Sequence, residues 1–286
     1  MSENLHPRAD EIDDLTAFDF VELMHAEDVK AVEAMRPQLR QVARAVDEIV
    51  ARLRAGGRMH YFGAGTSGLI ARLDAAECPA TFGIAAGVVL AHSADEPDQE
   101  DDRDLGIATA TQAGLGPNDA VVGISASGRT AYVLGAFEGA AGAGHRIAIT
   151  CNPGSPLARA ADIAIEVETG PEVIAGSTRL KAGTVQKLVL NMLSTAVFTR
   201  LANTHRGRMV GVVASNDKLR ARAARLVADV GGASVEDAAG ALDASGGNPK
   251  VAIVMLRRGV PTDEARELLA AANGDLGVVL AGVGRP

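Results

Sequence analysis

Five short β-like runs, at residues 59–62, 88–91, 120–125, 146–150 and 163–167, are spaced along the middle of the chain, several of them separated by stretches of helical periodicity, most clearly 130–141. Strands that alternate with helices line up in parallel, and the crossover helices cover both faces of the sheet. The expected class is therefore α/β, with a doubly wound parallel sheet of five strands. Ahead of the sheet, Val21, Met24, Val29, Val32, Met35, Leu39, Val42, Val46, Ile49 and Leu53 recur at helical spacing, interrupted by Pro37. That interruption predicts two helices or one bent helix, ended by Gly56-Gly57. Behind the sheet, 177–201 reads as a long helix with Leu180, Val185, Leu188, Val189, Met192, Leu193 and Val197 mostly on one side. From Asn216 onward the spacing predicts three or four short helices, punctuated by Gly231-Gly232, Gly246-Gly247 and Gly259-Val260-Pro261, with Ser234 and Asp237 resembling a capping box. The expected partition is a helical segment at 1–55, a sheet domain at 56–210 and a small helical subdomain at 211–286.

A chain of 286 residues can bury a large core, and its 47% hydrophobic and 22% charged residues suit a globular protein. Aromatic residues at 3%, without Trp, offer no stacking platform for bases, and a net charge of −8 disfavours a polyanion. A small anion is another matter, because backbone donors bind it locally. The first fourteen residues carry five acidic side chains and no apolar run, so no signal peptide is expected, and no stretch approaches the ~20 apolar residues of a membrane helix. Cys78 and Cys151 have neither metal spacing nor disulfide density. A reducing cytoplasm is the expected compartment, and neither nucleic acid nor membrane is an expected partner.

Two segments carry the chemistry. The run at 59–62 leads into Gly63-Ala64-Gly65-Thr66-Ser67-Gly68, the first turn, and the run at 120–125 into Ser125-Ala126-Ser127-Gly128-Arg129-Thr130, the second. Each sets small residues and hydroxyls at the carboxyl end of a strand, just ahead of a helix whose first N–H groups are free. Glycines let the backbone approach an anion closely, and Ser67, Ser125, Ser127 and Thr130 can donate to phosphate oxygens. A tight strand-to-helix connection is the plainer reading of either turn alone; two on one sheet favour a phosphate site. The first turn matches G-x-G-x-x-G without the acidic residue that dinucleotide binding needs, and neither turn has a Walker lysine.

These turns resemble the phosphosugar loops of the sugar isomerase (SIS) domain. In addition "LDAAECPATFG", "VVGISASGRTAYV", "ITCNPGSPL", "GSTRLKAGTVQKLVLNMLST" and "VGVVASNDKLRARAARLV" closely resemble the N-acetylmuramic acid 6-phosphate etherase family, over most of the chain from about Asp10. The resemblance implies an SIS-type sheet, a homodimer, and removal of D-lactate from C3 of N-acetylmuramate 6-phosphate by elimination and then hydration. Such chemistry needs an acid and a base in different protonation states and requires no metal or other cofactor. Glu77, in the DAAECP segment, becomes the expected general acid, fixed relative to the sugar by the phosphate at the start of its helix and held protonated beside Cys78, Pro79 and Phe82. Glu100 of Glu100-Asp101-Asp102 becomes the expected base. Gly65, Thr66, Ser67, Ser125, Ser127, Gly128, Thr130, Glu172 and Lys181 become the expected substrate contacts. Arg179 and Lys181 near a helix start oppose its dipole, which calls for a carboxylate from a ligand or a partner. His92 and His205 read as structural or surface residues. The chain departs from the family pattern between 92 and 104, where about two helical turns are missing, and at Leu69 and Ala131, where Arg and Pro are usual. A noncatalytic phosphosugar regulator of the glucokinase regulatory protein type and an aldose–ketose isomerase are the alternatives.

Overall fold

The computed structural model describes residues 4–212 and 217–281. Asn216, and residues 213–215 of the last matching segment, lie outside the described residues. Two compact units divide the chain, one of residues 1–76 and 87–197, the other of 77–86 and 198–286.

The first unit holds the sheet: β1 (Met59–Ala64), β2 (Val89–Ala94), β3 (Ala120–Ile124), β4 (His145–Thr150) and β5 (Ile163–Glu166). All neighbours are parallel and the order is β2-β1-β3-β4-β5. The helices of this unit are α1 (Ala17–Glu33), α2 (Leu39–Arg54), α3 (Gly65–Phe82), α4 (Pro97–Glu100), α5 (Arg103–Gln112), α6 (Ala131–Gly139), α7 (Pro156–Ala160) and α8 (Lys181–Arg200), with the last residues of α3 and α8 assigned to the second unit. Thr16 starts α1 by accepting from the Asp19 N–H, and the 3-10 turn Arg36–Gln38 around Pro37 separates α1 from α2. The expected interruption is thus two helices. In α2, Val42, Ala45, Val46, Ile49 and Val50 are buried, and the helix packs on β3, β4 and β5. That stripe follows from 3.6-residue spacing, and each large member contributes about 1.5–3 kcal/mol by burial.

Residues alternate across the sheet. Phe62, Val121 and Ala148 pack with Ala110 of α5, Tyr132, Val133, Ala136 and Phe137 of α6 and Leu157 of α7. Tyr61, one residue from Phe62, points to the opposite face, where its hydroxyl donates to Asp74 of α3 at 2.9 Å. Ser194 of α8 donates to the same carboxylate at 3.1 Å. Helices therefore cover both faces, as a doubly wound sheet requires.

The second unit is helical: α9 (Asp217–Gly231), α10 (Val235–Ala244), α11 (Pro249–Arg258), α12 (Thr262–Ala271) and α13 (Leu276–Val279). Its core gathers Val210, Val227, Ala238, Leu242, Ile253, Val254 and Leu269. Ser234 caps α10 by accepting from the Asp237 N–H at 3.0 Å, while its own hydroxyl donates to the Asp237 carboxylate at 2.7 Å. Phe82 lies 5.0 Å from Phe198 between ring centroids, and Asn203 donates to the Phe82 carbonyl at 2.8 Å. These contacts tie residues 77–86 to the C-terminal part of the chain. Among the described residues no helix is long and apolar enough to cross a membrane.

Candidate phosphosugar site

Both turns open at one edge of the sheet. β1 and β3 are neighbours with Gly63 opposite Ile124, so the residues that follow, 64–68 and 125–130, leave the same strand ends side by side. This is the point where the strand order reverses, and the crevice there is where open α/β sheets bind ligands. α3 and α6 begin at it, so two helix N-termini converge. The first turn is tight because its glycines allow it: a Cβ on Gly63 would stand 2.9 Å from the Gly68 nitrogen, and one on Gly68 would stand 2.7 Å from Ser93 Cβ.

In the second turn the hydroxyls form a cluster. Ser125 Oγ lies 2.9 Å from Thr130 Oγ1 and 3.4 Å from Ser127 Oγ, and accepts from the Gly128 N–H at 3.0 Å. Ser127 Oγ accepts from the Arg129 N–H at 3.1 Å. Thr130 precedes α6, yet its side chain makes no capping bond, so the first N–H groups of that helix keep donors for an anion. Gly128 has φ +66°, and a Cβ on it would lie 2.2 Å from Ser155 Oγ. The loop after β4 braces this turn: Asn152 Nδ2 and the Cys151 N–H donate to the Ala126 carbonyl at 3.1 and 3.0 Å, and the Leu157 N–H donates to the Gly128 carbonyl at 3.0 Å. Sequence reasoning missed this bracing role; the Asn-Pro-Gly-Ser-Pro run, a turn followed by a helix cap, is the signal that marks it. Burial pushes the Cys151 thiol up to about 12, so it stays protonated beneath the site.

The two candidate carboxylates are placed differently. Glu100 ends α4 and is exposed, and its Oε2 lies 3.8 Å from where a Cβ on Gly65 would be. A carboxylate thus stands against the first turn. Its segment is pinned by a capping box at Glu96 and Gln99 and, at Asp95, by Arg72 of α3, which also donates to Ser93 at 3.1 Å. Glu77 lies on α3 twelve residues beyond Gly65, roughly 18 Å of helical rise. That exceeds the few bonds between a hexose 6-phosphate and C3. The expectation set a phosphate at the start of α3 against Glu77, and the two stand at opposite ends of that helix. Cys78 and Phe82 are buried while Glu77 is exposed, so they do not enclose it.

Glu172 and Lys181, expected as substrate contacts, are both engaged within the chain. Glu172 is fully buried and accepts from the N–H groups of Lys181 and Ala182, both at 3.0 Å, capping α8. Lys181 Nζ is bound by Glu27 of α1, which also takes Lys30 at 2.6 Å and lies 3.5 Å from His6. The carboxylates that balance the cation at this helix start thus come from the chain itself. Burial alone would raise the Glu27 carboxyl, but hydrogen bonds from Lys181 and Lys30 outweigh it and hold it at about 2. Two further residues were not singled out from sequence: Asp74, which joins α3 to Tyr61 and Ser194, and Gln186 of α8, whose Oε1 accepts from Ser67 Oγ at 2.9 Å. His92 stacks on His60 and Phe62 within the first unit, and His205 pairs with Arg208 in an isolated bridge. Among the described residues, no group of three or more His, Cys, Asp or Glu is arranged to hold a metal ion.

The SIS domain model matches residues 105–196, which include the second turn. The chain is 48% identical to an N-acetylmuramic acid 6-phosphate etherase of Rubrobacter xylanophilus over 96% of its own length and 94% of the relative's. It is 44% identical to the enzyme of that name from Pectobacterium atrosepticum, over 99% and 96%, and 45% identical to that from Streptomyces coelicolor, over 98% and 93%. Among solved structures, a phosphoheptose isomerase from Francisella tularensis superposes with a TM-score of 0.55 at 18% identity, covering 65% of this chain and 100% of that one. A phosphosugar isomerase described as putative, from Bacteroides fragilis, does so with 0.52 at 25%, covering 67% and 99%. The isomerase likeness shows the fold, a parallel SIS sheet carrying two anion-ready turns, whereas the relatives match nearly end to end: the chain belongs to the N-acetylmuramic acid 6-phosphate etherase family.

Proposed function

We propose that the protein cleaves the D-lactyl ether of N-acetylmuramate 6-phosphate, as a carbon–oxygen lyase of amino-sugar recycling in the cytoplasm. The observation that carries the reading is the Glu100 carboxylate beside Gly65 in a turn fit for phosphate. The 6-phosphate is held by the N–H groups of the two turns and by Thr66, Ser67, Ser125, Ser127 and Thr130. In the open-chain sugar the aldehyde acidifies C2. Glu100 takes the C2 proton, the electron pair forms the C2–C3 double bond, and the C3–O bond to lactate breaks as an acid protonates the departing oxygen. Water then adds at C3, giving N-acetylglucosamine 6-phosphate.

Glu77 is the proposed acid, and because its own chain's turns are a helix length away it acts at the site of a second copy. An exposed apolar stripe on α1 (Phe18, Val21, Val29, Val32) and Leu69 with Leu73 on α3 supply surface for such a homodimer. The same separation supports a second reading, a regulator that binds the phosphosugar without turning it over. Incubation with N-acetylmuramate 6-phosphate in deuterated water, scored for D-lactate and for deuterium at C2, separates them. Turnover is expected in the wild type. Glu100→Gln is expected to lose C2 exchange, whereas Glu77→Gln slows ether cleavage by about two to four orders of magnitude and retains exchange. Tight phosphosugar binding with no D-lactate would establish the regulator instead.

A further inference from the structure

Ser67 has one hydroxyl proton, and in this structure it is spent. Its Oγ donates to Gln186 Oε1 at 2.9 Å, which leaves only lone pairs to offer the turn. A phosphate dianion presents acceptors alone, so it takes nothing from Ser67 in this arrangement. The other end of the same amide shows the complementary fault: Gln186 Nε2 is buried and has no hydrogen-bond partner among the described residues. The Gln186 side chain is 1% exposed and Ser67 8%, so a donor is withheld from solvent next to the anion turn. Backbone packing sets this up. Gly183, one turn before Gln186, faces Thr66, whose Cγ2 would be in ordinary contact with a Cβ there at 3.5 Å, so the start of α8 lies against the first turn of α3.

We infer that Gln186 is a positioning residue of the phosphate turn, whose amide turns over when a phosphorylated ligand binds. A half-turn about its terminal torsion, which is soft and nearly twofold, exchanges Oε1 and Nε2. Nε2 then donates to Ser67 Oγ, the Ser67 proton swings to a phosphoryl oxygen, and Oε1 takes the buried place that Nε2 leaves, where an unpaired carbonyl oxygen is less unfavourable than an unpaired N–H. Each bond in the relay N–H···O–H···O–P polarises the next, and the donor that was unpaired becomes the first member. The ligand class selected is a phosphoryl dianion. This inference rests on the phosphosugar reading of the site and adds a residue to it.

Gln186→Glu keeps the size and the acceptor but has no donor while ionised. At about pH 8 its KM and its inhibition constant for inorganic phosphate are expected to rise about 10–100-fold, the loss of one charge-assisted bond, with kcat changed less than about threefold. With sulfate, an acceptor-only dianion that does not titrate in this range, the deficit relative to wild type is expected to shrink as pH falls toward the carboxyl's own pKa, raised by burial, where it regains a proton to donate. Gln186→Met, with neither donor nor acceptor, is expected to weaken phosphate binding about three- to tenfold at every pH, and it decides the matter if the glutamate variant does not fold. Stabilisation of the thermal midpoint by inorganic phosphate gives a readout independent of turnover. Phosphate binding equal to wild type in either folded variant, or a glutamate deficit that ignores pH, would overturn the inference. A wild type that binds no phosphate would overturn the reading beneath it as well.

Discussion

Gly128 shows how much one residue in the second turn carries. It combines a left-handed φ of +66° with a Cβ direction that ends 2.2 Å from Ser155 Oγ. Gly128→Ala is expected to cost about 1–3 kcal/mol in stability and to lower phosphate affinity at least about tenfold, because the turn must open to admit the methyl group. Denaturant melts together with phosphate titration check both, and an unchanged affinity would show that this turn is not the phosphate seat. His60 acts by its charge. Burial first, then the nearby His92 and Arg58, lower its pKa to about 4, with Asp119 opposing. The unfolded chain therefore takes up a proton near pH 6.5 that the folded chain resists until about pH 4, so stability is complete above the first value and falls between the two. The expected loss is about 3 kcal/mol across that interval, and Glu27 adds a second loss below about pH 4.5 as its carboxyl, held near 2, is forced to protonate. Measured by denaturant midpoints against pH, the first limb should shrink in His60→Gln to the part left by His92 and His205, whose pKa values burial also lowers, and the second should remain.

Helix α3 bears on the turn at one end and on Glu77 near the other, so its seating matters more than that of its neighbours. Asp74 provides it, buried and accepting from Tyr61 and Ser194. Asp74→Ala is expected to cost about 2–3 kcal/mol, since it removes a buried acceptor shared by Tyr61 and Ser194, although Ser194 keeps the Leu190 carbonyl at 3.0 Å, whereas Tyr61→Phe should cost about 1 kcal/mol. Thermal or denaturant unfolding of the two variants reads the difference, and equal losses would mean that Asp74 is not the hub. Asp74 itself was plain in the DAAECP segment, but its partners lie 13 and 120 positions away in sequence. No periodicity reports a pairing at that separation. The same holds for Lys181 with Glu27: the need for a carboxylate was legible from the helix dipole, but its identity, 154 positions away, was not.

At the scale of the whole molecule the distance along α3 makes a clear demand. If each site takes its base from one copy and its acid from the other, Glu77→Gln and Glu100→Gln are each nearly inactive alone, but a mixed dimer owns one site with both residues intact. After subunit exchange in equal mixture, half the dimers are mixed and each has one working site, so about a quarter of wild-type activity should return. Sites built within single chains would return none, because every site would still lack one residue. Light scattering on the same samples establishes the dimer that this test presumes.

Hydrophobic spacing and the chemistry of glycine, serine and proline act over a few residues, which is why the α/β alternation, the five strands, the two turns and their hydroxyls are legible in the sequence. It also placed the break at Pro37 and the Ser234 cap, which are equally local. That Glu100 reaches the first turn, that Glu172 and Lys181 serve the start of α8, and that Gln186 holds the Ser67 proton are visible in the folded chain alone. Those outcomes depend on which distant groups meet in a buried space, where an unpaired charge or donor is too unfavourable to leave and the nearest complementary atom takes it, whatever its place in the chain.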